Sequence, residues 1–306
     1  MAIYNSIYPK KELIKNIIDF WRPSGLSINK KTKIASMGSC FAREIKKYLL
    51  KNNYNYLLYE QDVSANRGDH ASCAWERIYN TYTLRHIIDY SLNENWAHDW
   101  KKSNKNGIIQ DGIRTNTCYN NLPEAESEFK EHRKISKSIL EQTDILIITL
   151  GLIEVWQSNV TGKIFSIPKG IYVNTNSPDF FKEYKCRITS LDENIDNLEY
   201  VIKRITEVNS KVKILITVSP VPMTGSVRKN TDIFSSNCIS KSTLRCVADY
   251  ICNRYSNVSY FPSYEIATSL IPLEGGRPYM PDNIHVTDKA VEIIMDAFSK
   301  IHCNND

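Results

Sequence analysis

The chain reads as an α/β protein, a three-layer α/β/α sandwich on a five-stranded, mostly parallel sheet with loop and hairpin insertions. Three observations predict this. Two continuous apolar runs, DILIITL at 144–150 and KILITV at 213–218, lack polar alternation, as expected of strands covered on both faces. Amphipathic helical stretches separate the strand-like runs, which implies βαβ crossovers and parallel pairing. The 306 residues are 42% hydrophobic and 24% charged, enough for a sizeable core and unlike a disordered chain.

In chain order, residues 33–37 form the first apolar run and end in Gly38. A helix follows over 41–51, with Phe41, Ile45, Tyr48 and Leu49 at helical spacing. Residues 54–59 are expected as a second strand, and 83–92 and 127–142 as helices. After the strand at 144–150, residues 155–167 look like a hairpin excursion turning at Asn159 and Gly162. Ser190-Leu191-Asp192-Glu193 is a capping box opening a helix to about 208. The strand at 213–218, a helix at 240–255, a fifth strand at 257–261 and a helix at 287–301 complete the set. Residues 61–82 and 95–126 are long, polar and aromatic, as functional or insert-like loops are. Residues 1–306 are read as a single domain, and both long segments are expected over the carboxyl ends of the strands, where α/β sheets bind ligands.

The formal net charge of +5 comes from basic residues interleaved with acidic ones, as in KELIK and EFKEHRK. That argues against nucleic acid and leaves a mildly basic surface suited to an anionic substrate. There is no membrane span and no secretory signal, and none of the eight cysteines forms a CxxC or has zinc spacing. A cytoplasmic protein with reduced thiols and no bound metal is expected.

The chemistry is sought after each strand. Gly38-Ser39-Cys40-Phe41 places Ser39 at a helix N-terminus, where it is either an N-cap or a nucleophile beside unpaired N–H groups. Cys40 is the competing nucleophile, expected to pack against the sheet. Gly151 follows the third strand and permits close backbone approach, and Glu154 and Trp156 could line a pocket there. Asp282 and His285 stand three apart on a loop before the last helix. The carboxylate can fix the imidazole tautomer while the ring takes a proton from a hydroxyl. A Gly-Ser after the first strand and Asp-x-x-His before the last helix favour a Ser39/Asp282/His285 site. Tyr79, Tyr82, Trp96, Trp100 and Tyr119 could stack on a sugar, Tyr82 being the candidate substrate contact.

Residues 38–42 spell GSCFA, and TLGLIEVW (149–156), TVSPVP (217–222), SKSTLR (240–245), YFPSYEI (260–266) and DNIH (282–285) follow in order. In these blocks the chain resembles the GSCFA family over about 33–300, and that family is similar to SGNH (GDSL-like) hydrolases. The resemblance implies a three-layer fold with Ser39 as nucleophile, Asp282 as orienting carboxylate and His285 as base. It also implies an oxyanion hole of the Ser39 N–H, a glycine matched by Gly151, and an asparagine. Leu152-Ile153-Glu154 follows Gly151 where that asparagine would stand, and Asn80 is the candidate substitute, or else only a helix cap. The activity implied is acyl-ester chemistry on a carbohydrate. Transfer of acetyl from acetyl-CoA to a glycan, possibly an acidic one, is preferred over plain esterase activity or a degenerate glycan-binding module. No tightly bound cofactor is expected.

Overall fold

The two apolar runs lie side by side in one sheet. Strands β1 (Ile34–Gly38), β5 (Ile145–Leu150), β9 (Lys213–Val218) and β10 (Val258–Tyr260) are parallel, in the order β1-β5-β9-β10. The structure is a computed structural model that describes residues 26–60, 71–98, 100–102, 107–114, 117–165 and 180–303. Residues 1–25, 61–70 of the first expected insertion, several residues within 95–126, and 166–167 of the expected hairpin lie outside them.

The two-residue side-chain period of a strand builds the layers. Leu146, Ile148 and Leu150 of β5 face one cluster, and Ile145 and Ile147 face the other. The first cluster is closed by α2 (Thr81–Leu92), α3 (Leu122–Gln142), α5 (Leu191–Val208) and α6 (Ile233–Arg254). On the opposite face lie α1 (Phe41–Lys51) and α9 (Asp288–His302). There the chain also forms α7 (Ser263–Glu265), a π-helical turn (Ile266–Leu270) and α8 (Ile271–Leu273).

The sheet has four strands rather than five, because 54–59 contributes only one bridge, Ile34 to Tyr56. The outer edge of β1 is satisfied piecemeal. Asn55 O accepts from Ile34 N–H at 2.9 Å and Leu57 N–H donates to Ile34 O at 2.7 Å. Ser72 then pairs with Ser36 through both its N–H and its Oγ, and Ile78 N–H reaches Gly38 O at 2.7 Å. With those groups taken, residues 58–60 have no ladder to extend.

The insertions have their own small sheets. Strands β2 (Trp100–Lys102), β3 (Ile109–Asp111) and β4 (Cys118–Tyr119) pair antiparallel beside α3. The expected hairpin is β6 (Glu154–Ser158) with β7 (Ile164–Phe165), joined on its other side by β8 (Tyr184–Ile188), which follows the short α4 (Phe180–Glu183). The capping box at Ser190 and Glu193 forms as read. Helix α6 begins seven residues earlier than periodicity indicates, because Asp232 caps it ahead of a first turn whose Ile233 and Phe234 are exposed rather than packed on the core. Among the described residues no helix is long and apolar enough to cross a membrane.

Candidate active site at the carboxyl ends of the strands

Gly38 ends β1 with φ +132°, and a Cβ there would lie 2.3 Å from Thr149 O, so only glycine fits. This close approach sets Ser39 against β5. Its N–H donates to Thr149 O at 3.0 Å, and its Oγ lies 3.0 Å from Thr149 Oγ1. Ser39 is not the helix cap. Cys40 occupies that position, with no side-chain cap bond, so the Ser39 hydroxyl is left for another use. Ser39 is 5% exposed. Its amide, expected as an oxyanion donor, is committed to Thr149 here.

Cys40 departs from its expected place against the sheet. It is half-buried, and its Sγ lies 3.6 Å from Tyr79 OH. Burial, and then the neighbouring Cys40, push the Tyr79 phenol up to about 12.

Gly151 and Asn80 do come together. Leu152 N–H donates to Tyr79 O at 2.6 Å, and a Cβ on Gly151 would sit 2.7 Å from that oxygen. A small cavity between them is lined by Gly38, Tyr79, Asn80, Thr149, Gly151 and Leu152, among others. Asn80 caps α2: its Oδ1 accepts from Thr83 N–H at 2.9 Å and Thr83 Oγ1 at 3.2 Å. The cap uses the oxygen, and among the described residues no hydrogen bond engages its Nδ2, so Asn80 can cap a helix and donate from one amide.

Asp282 and His285 form a pair, His285 Nδ1 lying 2.5 Å from Asp282 Oδ2. Their loop is a tight return in which Met280 N–H donates to His285 O and Thr287 N–H to Pro278 O. Asn283 takes φ 58° at its tip, a left-handed conformation asparagine tolerates. Asp282 Oδ1 accepts the N–H groups of Ile284 and His285. The hydrogen bond from His285, then these amides, lower the Asp282 carboxyl to about 2. Tyr279 OH donates to Pro220 O at 3.0 Å, anchoring the loop just past β9. The side chains of His285 and Asp282 are 71% and 44% exposed, and His285 makes no hydrogen bond to Ser39.

The GSCFA family matches residues 33–298, which include every residue just described. This chain belongs to the GSCFA family. No curated protein matches it in sequence. A family 3 carbohydrate esterase from Clostridium thermocellum is similar in structure at 10% identity and TM-score 0.36, over 89% of this chain and 94% of that one. A family 3 carbohydrate esterase from Talaromyces cellulolyticus is similar at 10% identity and TM-score 0.36, over 87% and 94%. An acetyl esterase variant solved with acetate ion follows at 10% and 0.38, over 87% and 93%. Likeness this distant carries no argument about chemistry.

Three expected substrate contacts of this GSCFA chain lie outside that cavity's lining. Glu154 holds the loop after β9, accepting from Ser226 Oγ at 2.6 Å and Val227 N–H at 3.2 Å. Trp156 is half-buried on β6, in register with Cys186 and Phe165. Tyr82 OH donates to Glu193 at 2.7 Å, and Arg187 lies over its ring. Trp100 and Tyr119, expected as sugar platforms, pack edge-on to each other, and Trp100 also packs on Phe129.

Lys241 stands inside the SKSTLR block, where the sequence assigns it no role. It is fully buried on α6, and its Nζ donates to Gly151 O at 3.0 Å. Burial pulls its amine down to about 7, although the nearby Cys40 works in the other direction. The signal was present: Lys241 shares an apolar helical stripe with Leu244, Ala248 and Ile251, where a lysine is out of place.

Proposed function

We propose serine-dependent acyl-ester chemistry on a carbohydrate, with acetyl transferred from acetyl-CoA to a glycan or glycan precursor in cell-surface polysaccharide biosynthesis. The observation that carries this reading is the preformed Asp282–His285 pair. With Nδ1 held by Asp282, the Nε2 of an exposed ring is the nitrogen free to act as a base. The Ser39 hydroxyl, released from capping, attacks the thioester carbonyl and gives its proton to Nε2. Asn80 Nδ2 and the Gly151 N–H receive the oxyanion. The intermediate collapses by breaking the carbon–sulfur bond, His285 returns the proton to the departing thiolate, and acetyl stays on Ser39. A sugar hydroxyl then repeats the attack through the same groups, and water in its place makes the protein an esterase. The loop at 278–287 must close to bring Nε2 within roughly 2.6–3.2 Å of Ser39 Oγ, a tightening common when substrate binds. Acetyl-CoA enters as a co-substrate, which fits a cytoplasmic location and a mildly basic surface.

One observation favours a second reading. Ser39 is buried while Cys40 is partly exposed, with Tyr79 OH at its sulfur, so a Cys40 thiol nucleophile is the alternative. The test combines fluorophosphonate labelling with acetyl-CoA consumption in the presence of acidic and neutral glycans. Ser39→Ala should abolish labelling and turnover, and Cys40→Ala should leave both intact. The reverse pattern assigns a thiol enzyme. Glycan binding without turnover in any form makes this a binding module.

A further inference from the structure

The sequence shows no zinc-like spacing, but the fold brings three ligand types together among residues that do not line the cavity at Gly151. Glu60, Cys73 and His132 come from the loop after the Tyr56 bridge, the segment 71–80 and α3. Their ligand atoms lie within 4.8 Å of one another. Cys73 Sγ is 2.8 Å from Glu60 Oε2 and 3.8 Å from His132 Nδ1, and Nδ1 is 3.0 Å from both Glu60 oxygens. Bonds of about 2.0–2.3 Å around a tetrahedral zinc-class ion separate its ligands by roughly 3.3–3.6 Å. The cluster thus needs its separations to change by roughly 0.2–0.8 Å, the Cys73–Glu60 distance the most.

From this geometry we propose that Glu60, Cys73 and His132 bind one zinc-class divalent cation that braces the segment leading to Asn80. Thiolate, imidazole and carboxylate are the donor set zinc uses, and the sulfur discriminates against magnesium and calcium. Two anionic ligands cancel the ion's charge, so the filled site is neutral in a buried setting. Arg114 also faces the cluster, but Asp111 at 2.6 Å and Glu128 at 2.9 Å engage its guanidinium. His132 Nε2 lies 2.8 Å from Tyr90 OH, the outer contact that fixes ring rotation and tautomer in metal-bound histidines. On binding, the Cys73 thiol proton is released to solvent, and the imidazole carries its one proton on Nε2, leaving Nδ1 to the ion. A water fills the fourth position.

The brace has a consequence for the candidate active site. Ser72, beside Cys73, is bonded to β1 at Ser36, and six and seven residues beyond Cys73 the chain reaches Tyr79 and Asn80. An ion tying Cys73 to α3 stiffens that path.

Cobalt(II) added to chelator-treated protein tests this directly. One equivalent should bind with a thiolate-to-cobalt charge-transfer band, zinc should displace it, and zinc should raise the melting temperature. Cys73→Ser and His132→Gln should lose the band. Tyr90→Phe should keep it with affinity lowered ~10–100-fold. Should the ligand variants fail to fold, peptide-mapped alkylation of the wild-type chain in urea concentrations that open the buried Cys73 reads the site instead, with and without zinc. Zinc should shield Cys73 and leave the exposed Cys238 and Cys246 reactive. No cobalt band in the wild-type protein, a band that survives in folded Cys73→Ser, or zinc that leaves Cys73 unshielded would overturn the proposal.

Discussion

Two regions of this molecule bury polar and ionisable groups, and they treat them in opposite ways. Around Phe129, on the insertion side of α3, almost every group is spoken for. Arg114 bonds Asp111, Glu128 and Tyr119, and Asp111 also accepts from the Ile113 and Arg114 amides and bonds His98 at 2.9 Å. Burial works to raise the Asp111 carboxyl, yet His98 and Arg114 hold it far below the usual carboxylate range. At the carboxyl ends of β1, β5 and β9 the commitments are partial. Among the described residues the buried Lys241 ammonium donates one hydrogen bond, Asn80 uses its oxygen and not its nitrogen, and His285 faces solvent. A saturated network is rigid and specifies one packing, whereas spare donors and bases are what a reaction needs. The first region should therefore respond to mutation in stability and the second in rate.

The sharpest test is Asp282→Asn, which leaves His285 in place with the wrong tautomer. The rate should fall by as much as ~10⁴-fold while the urea midpoint stays put, because the pair is exposed. Unchanged turnover would remove Asp282 from the chemistry. In the saturated region Arg114→Met should be silent in the rate per folded molecule. Its cost in unfolding free energy should be about 3–5 kcal/mol, because Asp111 and Glu128 lose their buried counter-charge. A small loss would show that water already solvates that network. Asn80→Ala should do both: turnover down ~10²–10³-fold from the lost oxyanion donor, and stability down by about 1 kcal/mol from the lost cap. Asn80→Asp separates the two, since it keeps the cap oxygen and removes the amide nitrogen.

The smallest effect is a pH slope. Lys241 titrates near 7 in the fold against an ordinary 10.5. Between these values the unfolded chain holds a proton that the folded chain lacks, so stability rises with pH across that window. Lys241→Met should flatten the rise, as read from urea midpoints at the two ends. A slope that persists in the variant would assign it to another group. Glu60 works in the opposite range. Burial raises its carboxyl, but the hydrogen bonds from His132, Cys73 and the Ala74 amide bring it down to about 2. Its stabilisation is complete above the ordinary 4.5 and is lost as pH falls through about 2.

Much of the frame was legible in the chain. The central strands at 145–150 and 213–218 match their apolar runs almost residue for residue, the Ser190 capping box forms where the letters place it, and the last helix starts within a residue of its expected 287. The adjacency of Asp282 and His285 was also legible, because a bond between residues three apart is a local event. The missing fifth strand was not. Residues 54–59 have the composition of a strand, but Ser72 and Ile78 take the β1 edge groups they would have used. Trp100 and Tyr119 misled for a related reason, since composition does not distinguish an exposed stacking ring from the packed edges these two present.

What the sequence determined by itself is therefore what short-range rules control: periodicities of two and of 3.6, caps, the Gly38 turn and the Asp-x-x-His loop. These are decided within a few residues, by backbone sterics and by hydrogen bonds that neighbours can reach. Only the tertiary structure decided that Ser39 meets Thr149 across 110 residues, that Asn80 stands beside Gly151 at one cavity, and that Lys241 is buried against Gly151. It alone assembled Glu60, Cys73 and His132 from positions 13 and 59 residues apart. Such contacts depend on ångström-scale packing between elements whose separation along the chain carries no record of their separation in space.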